Sequence, residues 1–214
     1  MRLRNIPGAR EEIATSEYVI QNPEEYKGRY SELFGNKNPI RIEIGMGKGK
    51  FIVKMAKLHP EINFIGIERY SSVLLRALQK LDEMEEKPAN LKFMRIDAKD
   101  IGDIFGVEEI DRIYLNFSDP WPKDRHAKRR LPSKEFLKLY DRVLKKDGQM
   151  EFKTDNKDLF DFAVEQLPLA GWEVKEITYD LHHDPKMNEG NVMTEYEEKF
   201  SAKGNPIYKY IVVR

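Results

Sequence analysis

Short apolar runs alternate with amphipathic segments along most of the chain, from residue 39 onward. The amphipathic segments carry apolar residues three and four positions apart, which predicts helices, and the runs between them predict strands. Seven strands are predicted in this way, at 40–44, 63–68, 91–96, 112–117, 149–153, 172–181 and 207–213. Alternation of this kind indicates an α/β fold. We predict a Rossmann-like, doubly wound, seven-stranded, mostly parallel sheet with helices on both faces and an antiparallel last strand.

Two of the predicted helices carry end signals. Ser133 is a candidate N-cap for a helix that reaches Lys146, with Gly148 just past its end. Asp155 is a candidate cap for the helix after the fifth strand. More than twenty residues without a helical pattern separate the last two strands, which predicts a long functional loop there.

Residues 1–38 precede this pattern and are predicted to form a basic N-terminal extension with one helix, so that a single domain spans 39–214. The helix is expected to begin at Pro23 and to end near Gly35. The extension contains three arginines in its first part, Arg2, Arg4 and Arg10. They fit either a solvated terminus or a basic arm.

The composition is that of a globular protein, with 40% hydrophobic and 35% charged residues among 214, enough for a sizeable core. The absence of cysteine excludes disulfides, thiolate nucleophiles and zinc sites built on cysteine, and the four scattered histidines favour no metal site. No apolar run approaches the roughly 20 residues that span a bilayer, so no membrane partner is expected. The start lacks the apolar core of a signal peptide, and we therefore expect a cytoplasmic protein.

The densest charge cluster lies at residues 117–130, after the fourth predicted strand. It has a local sum of +3 in a chain whose total charge is zero, from five basic and two acidic side chains: Lys123, Arg125, Lys128, Arg129 and Arg130, with Asp119 and Asp124. A charge run alone is typical of a solvated loop. Because this one follows Asp119 and Trp121 at a strand end, it favours an active-site loop that faces nucleic acid. Trp121 fits core packing and base stacking equally well.

A glycine-rich turn joins the first strand to the next helix, in the sequence Glu43-Ile-Gly45-Met-Gly47-Lys-Gly49. Glycines let the backbone bend sharply here and approach a ligand closely. The G-x-G-x-G spacing differs from the dinucleotide fingerprint and from the P-loop. It fits a nucleoside ligand such as S-adenosylmethionine, whose cationic methionine end would lie near Glu43. An ordinary strand–helix turn is the alternative.

Acidic residues also follow the next three strands. Glu68 comes 23 residues after Gly45, close to the roughly 20-residue offset at which an acidic side chain binds ribose hydroxyls. Asp97 fits either a contact with adenine or a cap of the following helix. Asp119 is restricted by Pro120, and its carboxylate would accept hydrogen bonds from N1–H and N2–H₂ of a guanine. Together these residues predict a nucleoside pocket with a target base beside it.

The charged loop matches a longer pattern, Phe117-x-Asp119-Pro-Trp-x-Lys123-x-Arg125-His126-x-Lys128-Arg129-Arg130. With the glycine turn, the acidic strand ends and Thr194-Glu-Tyr-Glu197, the chain resembles the bacterial tRNA (guanine-N7-)-methyltransferases over residues 38–214. The resemblance implies a class I S-adenosylmethionine-dependent fold without a metal. It also implies methylation of N7 of the variable-loop guanine, position 46, in tRNA. Because this family contains monomers and dimers, the oligomeric state stays open.

The resemblance implies roles for individual residues. The cofactor site is expected to be lined by Glu43, Gly45, Gly47, Glu68, Asp97 and Asp119, and Asp119 is expected to be catalytic as well. The target nucleotide is expected to be held by Lys123, Asp155, Thr194, Glu195, Tyr196 and Glu197. The tRNA is expected to lie against Arg125, His126, Lys128, Arg129 and Arg130.

The chemistry of the target atom agrees with these roles. Guanine N7 is an in-plane lone pair without a proton, so alignment of the two reactants matters more than a strong base. Positive charge that develops on the ring acidifies N1–H and N2–H₂, and a carboxylate that accepts from them binds the transition state better than the ground state. We therefore expect Asp119 to act as an electrostatic stabiliser, with Glu195 or Glu197 sharing the task.

Three alternative functions are a nicotinamide oxidoreductase, an RNA-binding module without catalysis, and a methyltransferase of small molecules or proteins. The spacing of the glycine turn counts against the first. The acidic strand ends count against the second, and the basic loop against the third.

Overall fold

The computed structural model describes residues 6–214, and an eight-stranded sheet forms its centre. The strands are β1 (Val19–Ile20), β2 (Ile40–Ile44), β3 (Asn63–Ile67), β4 (Leu91–Met94), β5 (Ile110–Asn116), β6 (Leu144–Thr154), β7 (Glu173–Thr178) and β8 (Tyr208–Val213). Their order across the sheet is β1-β4-β3-β2-β5-β6-β8-β7. β8 runs antiparallel to β6 and β7, and the other neighbouring pairs are parallel. The predicted mostly parallel sheet with an antiparallel last strand is confirmed.

Helices cover both faces of the sheet, as the alternating pattern predicts. They are α1 (Ala9–Thr15), α2 (Tyr30–Phe34), α3 (Lys50–Leu58), α4 (Ser71–Asp82), α5 (Ile101–Ile104), α6 (Lys134–Val143), α7 (Lys157–Gln166), α8 (Pro185–Asn188) and α9 (Glu195–Ser201). An apolar cluster joins α1, α3 and α4 to one face, and another joins α5, α6 and α7 to the other. Because side chains alternate along a strand, Ile42 and Ile44 pack under α5 to α7, whereas Glu43 points to the face of α3. Within residues 6–214, no helix combines the length and apolar composition that crossing a membrane requires.

The number of strands differs from the predicted seven, because the N-terminal extension adds β1 to the edge of the sheet. β1 consists of two buried residues, too few for an alternating pattern to be visible in the sequence. It pairs in parallel with β4, and the Phe93 N–H donates to Tyr18 O at 2.7 Å. Arg2 and Arg4 lie outside the described residues, and Arg10 is exposed on α1.

The single helix expected between Pro23 and Gly35 is replaced by two shorter ones. A 3-10 helix over Pro23–Tyr26 is followed by α2, and between them Gly28 has a φ of +75°. The carboxylate of Glu109 accepts the N–H groups of Gly28 and Tyr30, each at 2.9 Å. Because these donors are bound to Glu109, they do not take part in a continuous helix.

Several boundaries after β5 also differ from the predictions. α6 ends at Val143, three residues early, because β6 begins at the next residue. Ser133 occupies the N-cap position of α6 but its side chain makes no capping hydrogen bond. α7 is capped by Asn156, whose Oδ1 accepts a first-turn N–H at 2.8 Å, and not by Asp155. The predicted loop between β7 and β8 contains α8 and α9.

Candidate cofactor and substrate site

Four acidic side chains lie near the carboxyl ends of neighbouring strands. β4, β3, β2 and β5 are adjacent and parallel, so Asp97, Glu68, Glu43 and Asp119 lie along one edge of the sheet. Doubly wound sheets bind ligands beyond this edge. Within residues 6–214, no three His, Cys, Asp or Glu side chains are grouped so that they could hold a metal ion.

The glycine turn is held against the end of β3. The N–H groups of Gly45 and Met46 donate to Ile67 O at 2.9 and 3.0 Å, and the Gly47 N–H donates to Glu68 Oε2 at 3.2 Å. Gly45 and Gly47 have φ values of +76° and +59°, a conformation that favours glycine. A Cβ built at Gly47 would have no atom within 4 Å, so the backbone conformation, and not lack of space, requires glycine there.

Backbone donors hold Glu68 in place. Besides the bond from Gly47, its Oε1 accepts the Tyr70 N–H at 2.9 Å. Burial raises the pKa of Glu68, and the N–H groups of Tyr70 and Gly47 oppose this rise. The carboxylate therefore has a fixed position at the end of β3, which suits an acceptor of ribose hydroxyl groups.

Glu43 is the most buried of the four acidic side chains, with 1% of its surface exposed. Its Oε1 accepts from Asn116 Nδ2 at 2.8 Å, whereas Oε2 has no hydrogen-bond partner among the described residues. Burial raises the pKa of Glu43 to about 8, opposed by the Asn116 hydrogen bond and the charge of Lys153. A cationic ligand group near Oε2 would compensate this buried oxygen.

Asp97 caps the 3-10 helix that follows β4. Its Oδ1 accepts the Lys99 N–H at 3.2 Å, and its Oδ2 lies 3.6 Å from Arg69 Nη1. The capping interpretation is therefore confirmed. The contact with adenine stays a prediction.

Asp119 lies on an exposed loop with an unusual backbone. Phe117 and Trp121 have φ values of +51° and +43°, which are rare for bulky side chains. The Phe117 N–H donates to Lys153 O at 2.8 Å, and Arg130 Nε donates at 3.0 Å to the carbonyl oxygen of the residue after Asp119. The strand end and Arg130 therefore fix both sides of the turn that carries Asp119.

The basic cluster forms a 3-10 helix over Asp124–Arg129. Four of its side chains are exposed: Lys123, Arg125, Lys128 and Arg129. Arg130 is half-buried and also donates to Trp121 O at 3.1 Å. The Trp121 ring meets the His126 ring edge-on, with centroids 5.5 Å apart, and the Arg129 guanidinium lies 5.0 Å from its centre. Trp121 is thus half-buried among loop residues, so the core-packing interpretation is wrong, and base stacking stays a prediction.

Tyr196 and Asp155 lie beside the Asp119 loop. The rings of Tyr196 and Phe117 have centroids 5.0 Å apart, and Tyr196 also stacks on Phe200 at 4.1 Å. Burial, the charge of Asp155 and a hydrogen bond to it raise the pKa of Tyr196. The structure therefore brings these two predicted substrate residues together at the edge that holds Asp119.

Glu195 and Glu197, on the first turn of α9, have different surroundings. Glu195 is partly exposed and lies 3.5 Å from Lys48 Nζ in the glycine turn. Glu197 is fully buried, with Oε2 2.6 Å from Lys153 Nζ and Oε1 2.8 Å from Asn191 Nδ2. Only Glu195 of this pair offers an accessible carboxylate to a nucleotide.

The sequence did not single out Asn116, Lys153 or Asn191. A lysine at a strand end is ordinarily exposed, so the residue type of Lys153 did not indicate burial. Its partners lie 38 to 44 positions away, a separation that local patterns do not connect. The one available signal was its position directly after the apolar alternation of the fifth predicted strand.

A family and two relatives show what the sequence of this chain is similar to. A family described as putative methyltransferase matches residues 37–210. A tRNA (guanine-N(7)-)-methyltransferase of Lachnoclostridium phytofermentans is 61% identical over 214 residues, which cover 100% of this chain and 99% of that protein. One from Geobacillus thermodenitrificans is 54% identical over 215 residues, which cover 100% of this chain and 98% of that protein.

Two solved structures with a similar fold are methyltransferases as well. The 16S rRNA methyltransferase KamB has a TM-score of 0.64 at 12% identity and covers 87% of this chain and 92% of its own. An antibiotic related methyltransferase has a TM-score of 0.63 at 18% identity, with the same coverage. Because the sequence identities to these two structures are low, the structures support the fold alone. The sequence relatives match along the whole chain. The chain belongs to the tRNA (guanine-N(7)-)-methyltransferase family.

Proposed function

We propose that the protein transfers the methyl group of S-adenosylmethionine to N7 of the variable-loop guanine at position 46 in tRNA, giving 7-methylguanosine. The observation that carries the proposal is the position of the charged loop. It leaves the end of β5 beside the acidic strand ends and continues into the exposed basic 3-10 helix. A cofactor pocket and an RNA-facing surface would therefore share residues 117–130.

The residues at the strand ends fit S-adenosylmethionine. Glu43 offers a buried carboxyl oxygen without a hydrogen-bond partner in the described chain, and a cationic methionine end beside it would favour loss of the proton that burial retains. Glu68 would accept from the ribose hydroxyls, and Asp97 would meet the adenine. The bound cofactor supplies a methyl group activated by the sulfonium. The pocket would be completed by Gly45, Gly47 and Asp119.

Asp119 would bind the target guanine and stabilise the charge that develops on it. Its carboxylate would accept from N1–H and N2–H₂, and N7 has no proton to lose. Because both donors become more acidic as N7 is methylated, the contact strengthens in the transition state. Holding N7 in line with the methyl group would supply much of the remaining acceleration, since alignment is worth roughly 7–11 kcal/mol.

The target nucleotide would be held by the segments around Asp119. Lys123 is exposed next to it, and Tyr196 would offer a ring face for stacking. The nucleotide would be surrounded by Asp155, by Thr194 at the N-cap of α9 and by the first turn of that helix. Since Glu197 is buried, we assign the role shared with Asp119 to Glu195.

The tRNA backbone would lie against the basic 3-10 helix. Phosphate contacts would come from the exposed side chains Arg125, Lys128 and Arg129. His126 packs on Trp121 and would contribute at the border of the pocket. Arg130 would act mainly by holding the loop.

We further propose that residues 39–214 form a single S-adenosylmethionine-dependent methyltransferase domain. The family match over 37–210 supports this division. The described part of the extension packs closely on that domain: Tyr30 is fully buried, and its N–H donates to Glu109 Oε1 at 2.9 Å. Because tRNA would be the substrate, we place the activity in the cytoplasm.

The direct test uses an unmodified tRNA transcript and S-adenosylmethionine tritiated in the methyl group. We expect tritium in the tRNA, and borohydride–aniline treatment, which cleaves at 7-methylguanosine, should cut at position 46. A transcript with adenosine at position 46 is the matched control. Label without cleavage, or equal labelling of the control transcript, would contradict the proposal.

A further inference from the structure

Lys153 is buried near the carboxyl end of β6, with 3% of its surface exposed. An ammonium group has three N–H donors and no acceptor. All three donors bind one stretch of chain: Asn191 Oδ1 at 3.1 Å, Val192 O at 3.0 Å and Glu197 Oε2 at 2.6 Å. The hydrogen-bonding capacity of Lys153 is therefore used entirely by the segment at the start of α9.

The partners of Lys153 also bind each other. Asn191 Nδ2 donates to Glu197 Oε1 at 2.8 Å, which closes a triangle of hydrogen bonds among Lys153, Asn191 and Glu197. The Glu197 N–H in turn donates to Thr194 Oγ1 at 2.9 Å. This Lys153–Asn191–Glu197 triangle thus fixes the start of α9, with Thr194 at its N-cap and Tyr196 in its first turn.

The groups around Lys153 make the triangle necessary. Its ammonium lies 5.3 Å from the centre of the Phe51 ring, and burial lowers its pKa while Glu197 opposes that change. A buried charge needs hydrogen-bonded partners, because removal from water is unfavourable unless they replace the lost solvation. If residues 191–197 moved away, Lys153 would lose all three acceptors.

We propose that Lys153 is a positioning residue for the target nucleotide. It acts through Asn191 and Glu197 and holds the first turn of α9 beside the Asp119 loop, where the rings of Tyr196 and Phe117 are 5.0 Å apart. The inference rests on the proposed methylation of tRNA, in which this turn binds the nucleotide. Loss of the triangle should loosen the nucleotide side of the site and leave the cofactor side, on β2, β3 and β4, in place.

The test compares Lys153→Met with Lys50→Met. Lys50, on α3, forms an ion pair with Glu198, on α9. Both side chains are partly exposed, and such pairs contribute little to stability. We expect Lys153→Met to raise the KM for tRNA about tenfold or more, because breaking a buried pair leaves its partner unsatisfied. The kcat should fall by less than the KM rises, because Glu195 moves with the loosened turn, and the Kd for S-adenosylmethionine should stay within about twofold, since the cofactor side is not touched. Lys50→Met should keep all three constants close to those of the unaltered protein.

Amide hydrogen exchange gives a readout that a general structural role would not produce. In Lys153→Met, exchange should accelerate over residues 191–197 and stay unchanged in β2 to β5. If this variant does not fold, Asn191→Ala opens the triangle while the ion pair remains. Its KM for tRNA should rise about threefold, as expected for the loss of one or two hydrogen bonds.

Two results would overturn the inference. One is a KM for tRNA that stays at the unaltered value in the folded variants. The other is a parallel loss of S-adenosylmethionine affinity and of exchange protection throughout the sheet, which would indicate a role in stability only. If the unaltered protein did not methylate tRNA, the proposed function would fail, and the exchange comparison would still decide whether Lys153 holds the turn.

Discussion

Arg129 and Arg130 are neighbours with different contacts, and we predict that they affect tRNA binding differently. The Arg129 side chain is exposed and lies over the Trp121 ring, 5.0 Å from its centre. Arg130 is half-buried and donates to Pro120 O at 3.0 Å and to Trp121 O at 3.1 Å. Arg129 is therefore accessible to a phosphate, whereas Arg130 holds the loop that carries Asp119.

The expected magnitudes follow from these contacts. One phosphate contact contributes about 0.7 to 0.9 to the slope of log affinity against log salt concentration, so Arg129→Met should flatten that slope by about one unit. Arg130→Met removes charge-assisted hydrogen bonds. Because Arg130 is half-buried, we expect a loss of about 1 kcal/mol in free energy, below the usual range for such bonds. That corresponds to about a fivefold loss in kcat/KM, with the salt slope unchanged.

The assay is filter binding of tRNA at about 50 to 200 mM KCl, together with initial rates of tritium transfer at one salt concentration. Lys175→Met, which removes an exposed charge on β7, is the control and should change neither quantity. If Arg130→Met flattened the slope as much as Arg129→Met, the reasoning would be refuted, because the charge of Arg130 would then reach a phosphate.

Three further predictions concern the pocket. Asp119→Asn should lower kcat by about 100-fold or more in the tritium-transfer assay, because an amide oxygen accepts more weakly from an acidified N–H; near-normal turnover would contradict this role. Burial raises the pKa of Glu43 from 4.5 to about 8. Between these pH values the folded state holds a proton that the unfolded state has released. The stability of the folded state should therefore fall as pH rises through this window. Glu43→Gln should remove this fall in the free energy of unfolding, which urea unfolding at about pH 5 to pH 9 would measure. An equal fall in both proteins would exclude Glu43 as its source. Gly47→Ala should destabilise the fold by about 1 kcal/mol because of its positive φ, and Gly47→Asn by less; equal losses would show that φ is not the cause.

The acidic strand ends could be predicted because they depend on local properties of the sequence. Glu43, Glu68 and Asp97 each stand at or next to the end of an apolar run whose length and periodicity are visible. The rule that ligands bind beyond the carboxyl ends of parallel strands then places the three side chains on one edge. The mostly parallel sheet and the helices on both faces needed no more than this alternation.

Contacts between distant residues could not be predicted in the same way. Glu109 binds the N–H of Gly28, 81 positions earlier, and Lys153 binds Glu197, 44 positions later. Charged residues are expected in solvent, and only the folded chain determines which of them are buried with a partner. Arg130 illustrates the same limit, because its charge indicated RNA while its position depends on two backbone carbonyl groups.

β1 determines what the sheet presents at one of its two ends. Without it, β4 would be the edge strand, and the N–H and C=O groups on its open side would be available to strands of other molecules. β1 covers part of that edge and itself offers only two residues for pairing. A very short edge strand is a poor template for addition of another chain. Two residues of the extension therefore limit aggregation through this end of the sheet.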